Sequence, residues 1–141
     1  MVKRGSRLWV WLPLLLGLVG LYVVYASGVC PHDLTCGIGI FLCLMGLAGG
    51  TFARHTLGRS FSLRARATEL VTTGIYSRIR NPIYVTSVMV IVGVILMVRR
   101  PILLLFLVVI PLQIVRARRE ARVLEARFGD AYRQYRARTW F

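Results

Sequence analysis

Acidic residues are nearly missing from this chain: five Asp+Glu stand against 19 Lys+Arg, for a formal net charge of +14 over 141 residues. So short a chain holds one domain, with no room for a membrane part joined to a separate soluble enzyme. Cysteine is sparse too. Cys30, His32 and Cys36 have no fourth ligand nearby and fit no zinc spacing, so no metal is expected. Cys30 and Cys36 read as loop residues, able to pair if the loop faces an oxidising compartment, while Cys43 sits inside an apolar run. No nucleic-acid-binding motif accompanies the positive charge. The basic residues punctuate long apolar runs, which makes anionic lipid headgroups the expected partner, and not nucleic acid. The N-terminal run from Leu8 to Tyr25 lacks a clean small-x-small cleavage site and exceeds a usual signal core, so it reads as a retained span.

What is abundant is apolar surface: 57% of residues are hydrophobic and the mean hydropathy is +0.66. A soluble domain of this size has no interior large enough for it. Four apolar segments stand out, from Leu8 to Ala26, Gly37 to Phe52, Ile83 to Val98 and Ile102 to Val115. A span needs about 20 apolar residues, so the last three must borrow flanking residues or sit where the bilayer thins. Arg99, Arg100 and Pro101 separate the last two into a tight hairpin, since Pro cannot continue a helix interior. The expectation is an all-α, four-span, multi-pass membrane protein: one domain over 1–141, with a surface connection at 53–82 and an amphipathic helix at 116–138.

Orientation follows from the arginines. The N-terminal tail carries three basic residues, the 53–82 connection six and the 116–141 tail eight. The loop between the first two spans has Asp33 and no Lys or Arg. The positive-inside rule then places both termini in the cytoplasm, with Arg99 and Arg100 a mild exception. In the tail, Arg116, Glu120, Leu124, Phe128 and Tyr132 recur every four residues and form one stripe, which Tyr135 extends, with Arg118, Arg122, Arg133 and Arg136 on other faces. Glu120 on that stripe needs a partner, and Arg116 stands one turn earlier. Glu125 and Asp130 read as solvated. In Arg80-Asn81-Pro82-Ile83-Tyr84, Asn suits an N-cap and Pro the first helical position. The third span should start there, with free backbone N–H groups and Arg80 facing the interface as a site for an anionic or hydrogen-bonding ligand. Tyr76, Tyr84, Tyr132 and Tyr135 gather at the same interface, and His55 belongs there too. Each of these features also has an ordinary structural reading: a helix start, an Arg–Glu pair, an aromatic belt.

Together they are more specific. Leu70-Val71-Thr72-Thr73-Gly74-Ile75-Tyr76 followed by Arg80-Asn81-Pro82-Ile83-Tyr84 resembles the conserved block of the isoprenylcysteine carboxyl methyltransferase and phospholipid methyltransferase superfamily. The tail Glu120, Leu124, Phe128-Gly129, Tyr132 and Tyr135 is similar to that superfamily's second motif, in register. Arg54 to Ser62 looks like the segment preceding the block in bacterial members. The likeness runs from near residue 50 to the end.

The resemblance implies S-adenosylmethionine bound between block and tail. Thr68, Glu69, Leu70, Val71, Tyr76, Asn81, Pro82, Ile83 and Tyr84 would line its site. Glu120 would meet its ribose hydroxyls or amino group, and Arg116 would contact the substrate, the pair forming the catalytic set. The implied activity is methyl transfer to a lipophilic small molecule, lipid or prenylated acceptor, through a carboxylate or thiolate. The implied setting is a prokaryotic plasma membrane. Phospholipid amine N-methylation and a non-catalytic lipid-binding membrane protein are the alternatives. An NADPH-dependent reductase of the sterol-reductase kind shares tail architecture but would need a longer nucleotide-binding region. The chain departs from the pattern at Asn81 (usually His), Thr68 (His in eukaryotic relatives), Thr86 (commonly Gly), Ala121 (an acid) and in its Trp140-Phe141 ending, which bears on substrate identity more than on the cofactor.

Overall fold

A computed structural model describes residues 5–57, 70 and 72–140, with side chains from residue 10 onward. Helix α1 (Gly5–Ala26) leads through a short loop to α2 (Leu34–Leu57). A 3-10 turn at Gly74–Ser77 precedes α3 (Pro82–Val98). A 3-10 stretch, Pro101–Val108, then runs directly into α4 (Val109–Phe128), and α5 (Asp130–Arg138) follows. Among the described residues no strand forms. One isolated parallel bridge joins Ile79 to Trp140. Leu34–Leu57 and Pro101–Phe128 are long and apolar enough to cross a membrane, while Val10–Ala26 and Pro82–Val98 are apolar but shorter.

The second and fourth apolar runs borrow from their flanks, whereas the third gains only Pro82 and stays at 17 residues. α2 extends beyond the 37–52 run at both ends to reach 24 residues, about 36 Å at the helical rise and enough for a hydrocarbon core of about 30 Å. The fourth run lengthens differently: it begins in the 3-10 stretch Pro101–Val108, which rises about 2.0 Å per residue against about 1.5 Å. The run and the tail also differ from the expected division at 115/116, because α4 continues unbroken through both. The expected single helix over 116–138 ends instead at Phe128, where Gly129 takes φ +51, and α5 starts afresh. Glu125 and Asp130, expected to be solvated, span this break: Arg133 lies 3.4 Å from Glu125 and 3.3 Å from Asp130.

α2 and α3 pack most closely. A Cβ added at Gly39 would come within 2.7 Å of the Gly93 carbonyl oxygen, and one at Gly46 within 2.7 Å of the Thr86 carbonyl oxygen. Small residues of this kind let two backbones approach where the hydrophobic effect offers no drive. Thr86, the departure from a common Gly, is accommodated by this seam. It faces Gly49 and Gly50 and turns its hydroxyl back to donate to the Pro82 carbonyl at 2.9 Å. α1 lies against α2. A cavity of about 260 Å³ between α1, α2 and α3 is lined by apolar side chains including Leu21, Leu47, Val90 and Val94, and by Cys43.

The end of the bundle holding the α1–α2 loop is tied covalently and by charge. Cys30 and Cys36 form a disulfide, their Cα atoms 5.9 Å apart. They pack with Cys43 and Met97 into a buried cluster. Asp33 caps α2, accepting from the Cys36 N–H at 2.9 Å. Arg99, left-handed at φ 50 after the last residue of α3, donates from Nη2 to both Asp33 carboxylate oxygens at 2.5 and 2.6 Å.

Candidate active site

The site lies at the opposite end of α3 from Arg99. Pro82 opens α3 at its first position, as the sequence predicts. Asn81 holds the N-cap position, but its side chain makes no capping bond. Its carbonyl instead accepts from Tyr84 N–H at 3.1 Å and Val85 N–H at 3.2 Å. Pro82 has no N–H to offer, so the expected row of free donors shrinks to Ile83. The anion-binding character of this helix start is therefore weaker than the sequence suggests.

Side chains make the site. Tyr84, on the first turn of α3, donates its hydroxyl to Oε1 of Glu120 on α4 at 2.7 Å. Arg116 Nε donates to the same oxygen from 3.3 Å, one helical turn away. The Glu120 side chain remains 30% exposed and that of Arg116 52%, so both can reach a further molecule. The α4–α5 stripe behaves as its four-residue spacing predicts. Glu120, Leu124 and Phe128 are half-buried, Tyr132 is 2% exposed, and Arg118, Arg122, Arg133 and Arg136 face outward. Gln113, two turns before Glu120, has a buried Oε1 with no hydrogen-bond partner.

Tyr76 is buried at 7% exposure. Burial first, then the neighbouring Tyr135 and Glu120, pushes its phenol well above the ordinary tyrosine value, against the pull of Arg54. Tyr76 thus stands beside Glu120 as a neutral hydroxyl. Its segment leans on the end of α2, where Gly74, at φ +60, packs against Thr56: an added Cβ would fall 3.1 Å from Thr56 Cγ2. Arg80 carries a buried Nε without a hydrogen-bond partner.

Of the sequence-predicted residues, the fold brings Tyr76, Tyr84, Arg116 and Glu120 together, with Asn81, Pro82 and Ile83 forming the start of α3 beneath them. Leu70 is half-buried. Thr68, Glu69 and Val71 lie outside the described residues, as does Gly58. His55 is exposed at the end of α2. One set of contacts, those of Trp140, had no side-chain signature. Trp140 N–H donates to the Arg78 carbonyl at 3.1 Å, Arg80 N–H donates to the Trp140 carbonyl at 3.4 Å, and Tyr135 donates its hydroxyl to the Tyr76 carbonyl at 2.7 Å. Burial, then Tyr132, raises the Tyr135 phenol to about 12, with Arg80 opposing.

Over residues 33–131 the chain matches the family model described as phospholipid methyltransferase. No curated protein and no solved structure matches it significantly. The matched region takes in α2, the Arg80–Tyr84 block, α3 and all of α4, and so contains both partners of the Tyr84–Glu120 bond. With most of its length inside that match, this chain belongs to the phospholipid methyltransferase family, a family of methyltransferases.

Proposed function

We propose that this protein is an integral membrane methyltransferase that transfers a methyl group from S-adenosylmethionine to a lipophilic acceptor. The observation that carries the reading is the Tyr84–Glu120 hydrogen bond, which joins the family's two separated motifs at one end of the bundle. The residues present suit the methyl donor. Glu120 offers a part-exposed carboxylate for ribose hydroxyls or an amino group, and Arg80 offers a buried, unpaired Nε–H for a carboxylate. When bound, S-adenosylmethionine supplies a methyl group already activated by its sulfonium, leaving as a neutral thioether when the acceptor displaces it in line. The protein's own contribution is then alignment and exclusion of water. Tyr84 and Arg116 fix Glu120, and buried Tyr76 walls the cluster.

The topology we propose is four spans with both termini and the Tyr84–Glu120 cluster in the cytoplasm. The outward-facing arginines of α4 and α5 would meet anionic headgroups there. Two features support it. Arg99, one of the two arginines that run against the charge rule, is paired with Asp33, which offsets its charge. The Cys30–Cys36 disulfide sits at the end this topology assigns to the oxidising side.

For the acceptor we favour an anionic or easily ionised group, a carboxylate or thiolate, oriented by Arg116. Among the described residues the cluster holds no histidine to deprotonate a neutral acceptor. A phospholipid amine is the second reading. The family description favours it, and the Glu120 carboxylate is a possible proton acceptor. Calorimetric titration with S-adenosylmethionine in detergent, followed by radiolabelled methyl transfer to extracted lipids, tests the proposal. Binding with label in an acidic or thiol lipid fraction is expected. Label confined to phosphatidylethanolamine-type amines would select the second reading, and no binding would leave a non-catalytic membrane protein.

A further inference from the structure

The segment between Gly74 and Arg80 carries Tyr76 and leads into α3, yet beyond one 3-10 turn it has no regular structure of its own. Irregular backbone at a membrane surface needs hydrogen-bond partners from elsewhere. Here they come from the far end of the chain. The Arg78 carbonyl accepts from the Trp140 N–H, the Arg80 N–H donates to the Trp140 carbonyl, and the Tyr76 carbonyl accepts from the Tyr135 hydroxyl. Thr139 ties this end back to α5, its hydroxyl donating to the Tyr135 carbonyl at 2.9 Å. The Trp140 indole is not what holds this contact, since the residue is 66% exposed.

We propose that Thr139–Trp140, with Tyr135, is a positioning strap that holds the Gly74–Arg80 segment, and through it Tyr76 and Arg80, in the shape that receives the methyl donor. This rests on the methyltransferase reading above. At Trp140 the strap acts through main-chain atoms, so this contact forms whatever side chain stands at position 140. It also couples the packing of α5, anchored by buried Tyr132, to the start of α3.

Two substitutions at one position separate strap from side chain. Thr139 is already extended at φ −121, ψ 148, the conformation a following proline requires. Trp140→Pro therefore deletes the N–H donor and leaves Thr139 in the conformation it already has. Trp140→Ala keeps the donor and removes the indole. In the full-length protein in detergent, Trp140→Pro should weaken S-adenosylmethionine binding about tenfold and raise its KM, with kcat at saturation changed less than about twofold. Trp140→Ala should bind within about twofold of the parent. Amide hydrogen exchange across 74–80 should rise in Trp140→Pro alone, with α2 and α3 still protected. Equal binding by Trp140→Pro and parent overturns the strap, as does an equal loss in Trp140→Ala. Loss of protection throughout α2 and α3 also overturns it, by showing a global role. Failure of the parent to bind S-adenosylmethionine would sink the methyltransferase reading instead, and the exchange comparison would then decide the strap alone.

Discussion

Tyr84 and Glu120, 36 positions apart, share a 2.7 Å hydrogen bond in which the phenol donates and the carboxylate accepts. The bond spans the gap between α3 and α4 without close backbone approach. It fixes an acidic group in a chain that has few of them, on a helix face that continues as Leu124 and Phe128. Arg116 shares the same oxygen, so Glu120 keeps one of its two partners when the other is removed.

Removing one partner and removing the carboxylate should therefore differ in degree. Tyr84→Phe deletes a hydrogen bond to a charged acceptor and should lower methyl transfer about tenfold. Glu120→Gln keeps the shape but loses the charge, and should weaken S-adenosylmethionine binding by about tenfold or more. Calorimetry and single-turnover methyl transfer on both variants check this. Unchanged binding in Glu120→Gln would take Glu120 out of the site.

The α2–α3 seam sets a steric prediction. Gly46→Val places methyl groups where the Thr86 carbonyl and Val90 already stand, and overpacking of this kind costs about 1–3 kcal/mol. Gly20→Ala meets nothing within 4 Å and should be neutral. Thermal unfolding in detergent, followed by helical circular dichroism, distinguishes the two.

At the other end, acid should loosen what charge holds. The hydrogen bond from Arg99, and next the Cys36 N–H, keep the Asp33 carboxyl below the ordinary carboxylate range. A lowered folded value means the stabilisation is complete above about pH 4. It disappears as pH falls through that lowered value. Melting temperature should be flat in this respect from pH 8 to about 5 and drop below about 4. Asp33→Asn should be less stable near neutrality and lack that drop, which a series of melting curves against pH would show.

The disulfide closes a loop of a few residues, for which the chain-entropy estimate is about 2 kcal/mol. A Cys30→Ser, Cys36→Ser pair should lower the melting temperature accordingly. Alkylation of unreduced, denatured protein should modify one thiol, Cys43. Modification of three would show that the pair does not form in the membrane.

Sequence legibility follows side-chain chemistry. The Glu120 face announced itself through four-residue spacing, and Pro82 announced the start of α3. Charge counting placed Asp33 and Arg99 at one end, though nothing in their 66-residue separation said that they touch. The Trp140 contact was invisible because main-chain groups make it, and every residue has those. The break at Gly129 was misread because the stripe of Phe128, Tyr132 and Tyr135 continues across it. The glycine's positive φ swings the chain without changing which side faces inward. The Asn81 side chain makes no cap, and its carbonyl takes one of the N–H groups that side chain was expected to serve, that of Tyr84.

The glycine seam divides labour between the helices. With Gly39, Gly46 and Gly93 set against opposing carbonyls and side chains, α2 and α3 cannot slide or part without losing contacts along their whole length. They form a fixed post. The 3-10 stretch and α4 are joined to that post by the Arg99–Pro101 corner and, midway along α4, by the Tyr84–Glu120 bond, and between the two they present bare apolar side chains such as Leu105, Val108 and Leu112. The side of the molecule left bare between corner and bond is thus the 3-10 stretch and the first turn of α4, away from the glycine seam.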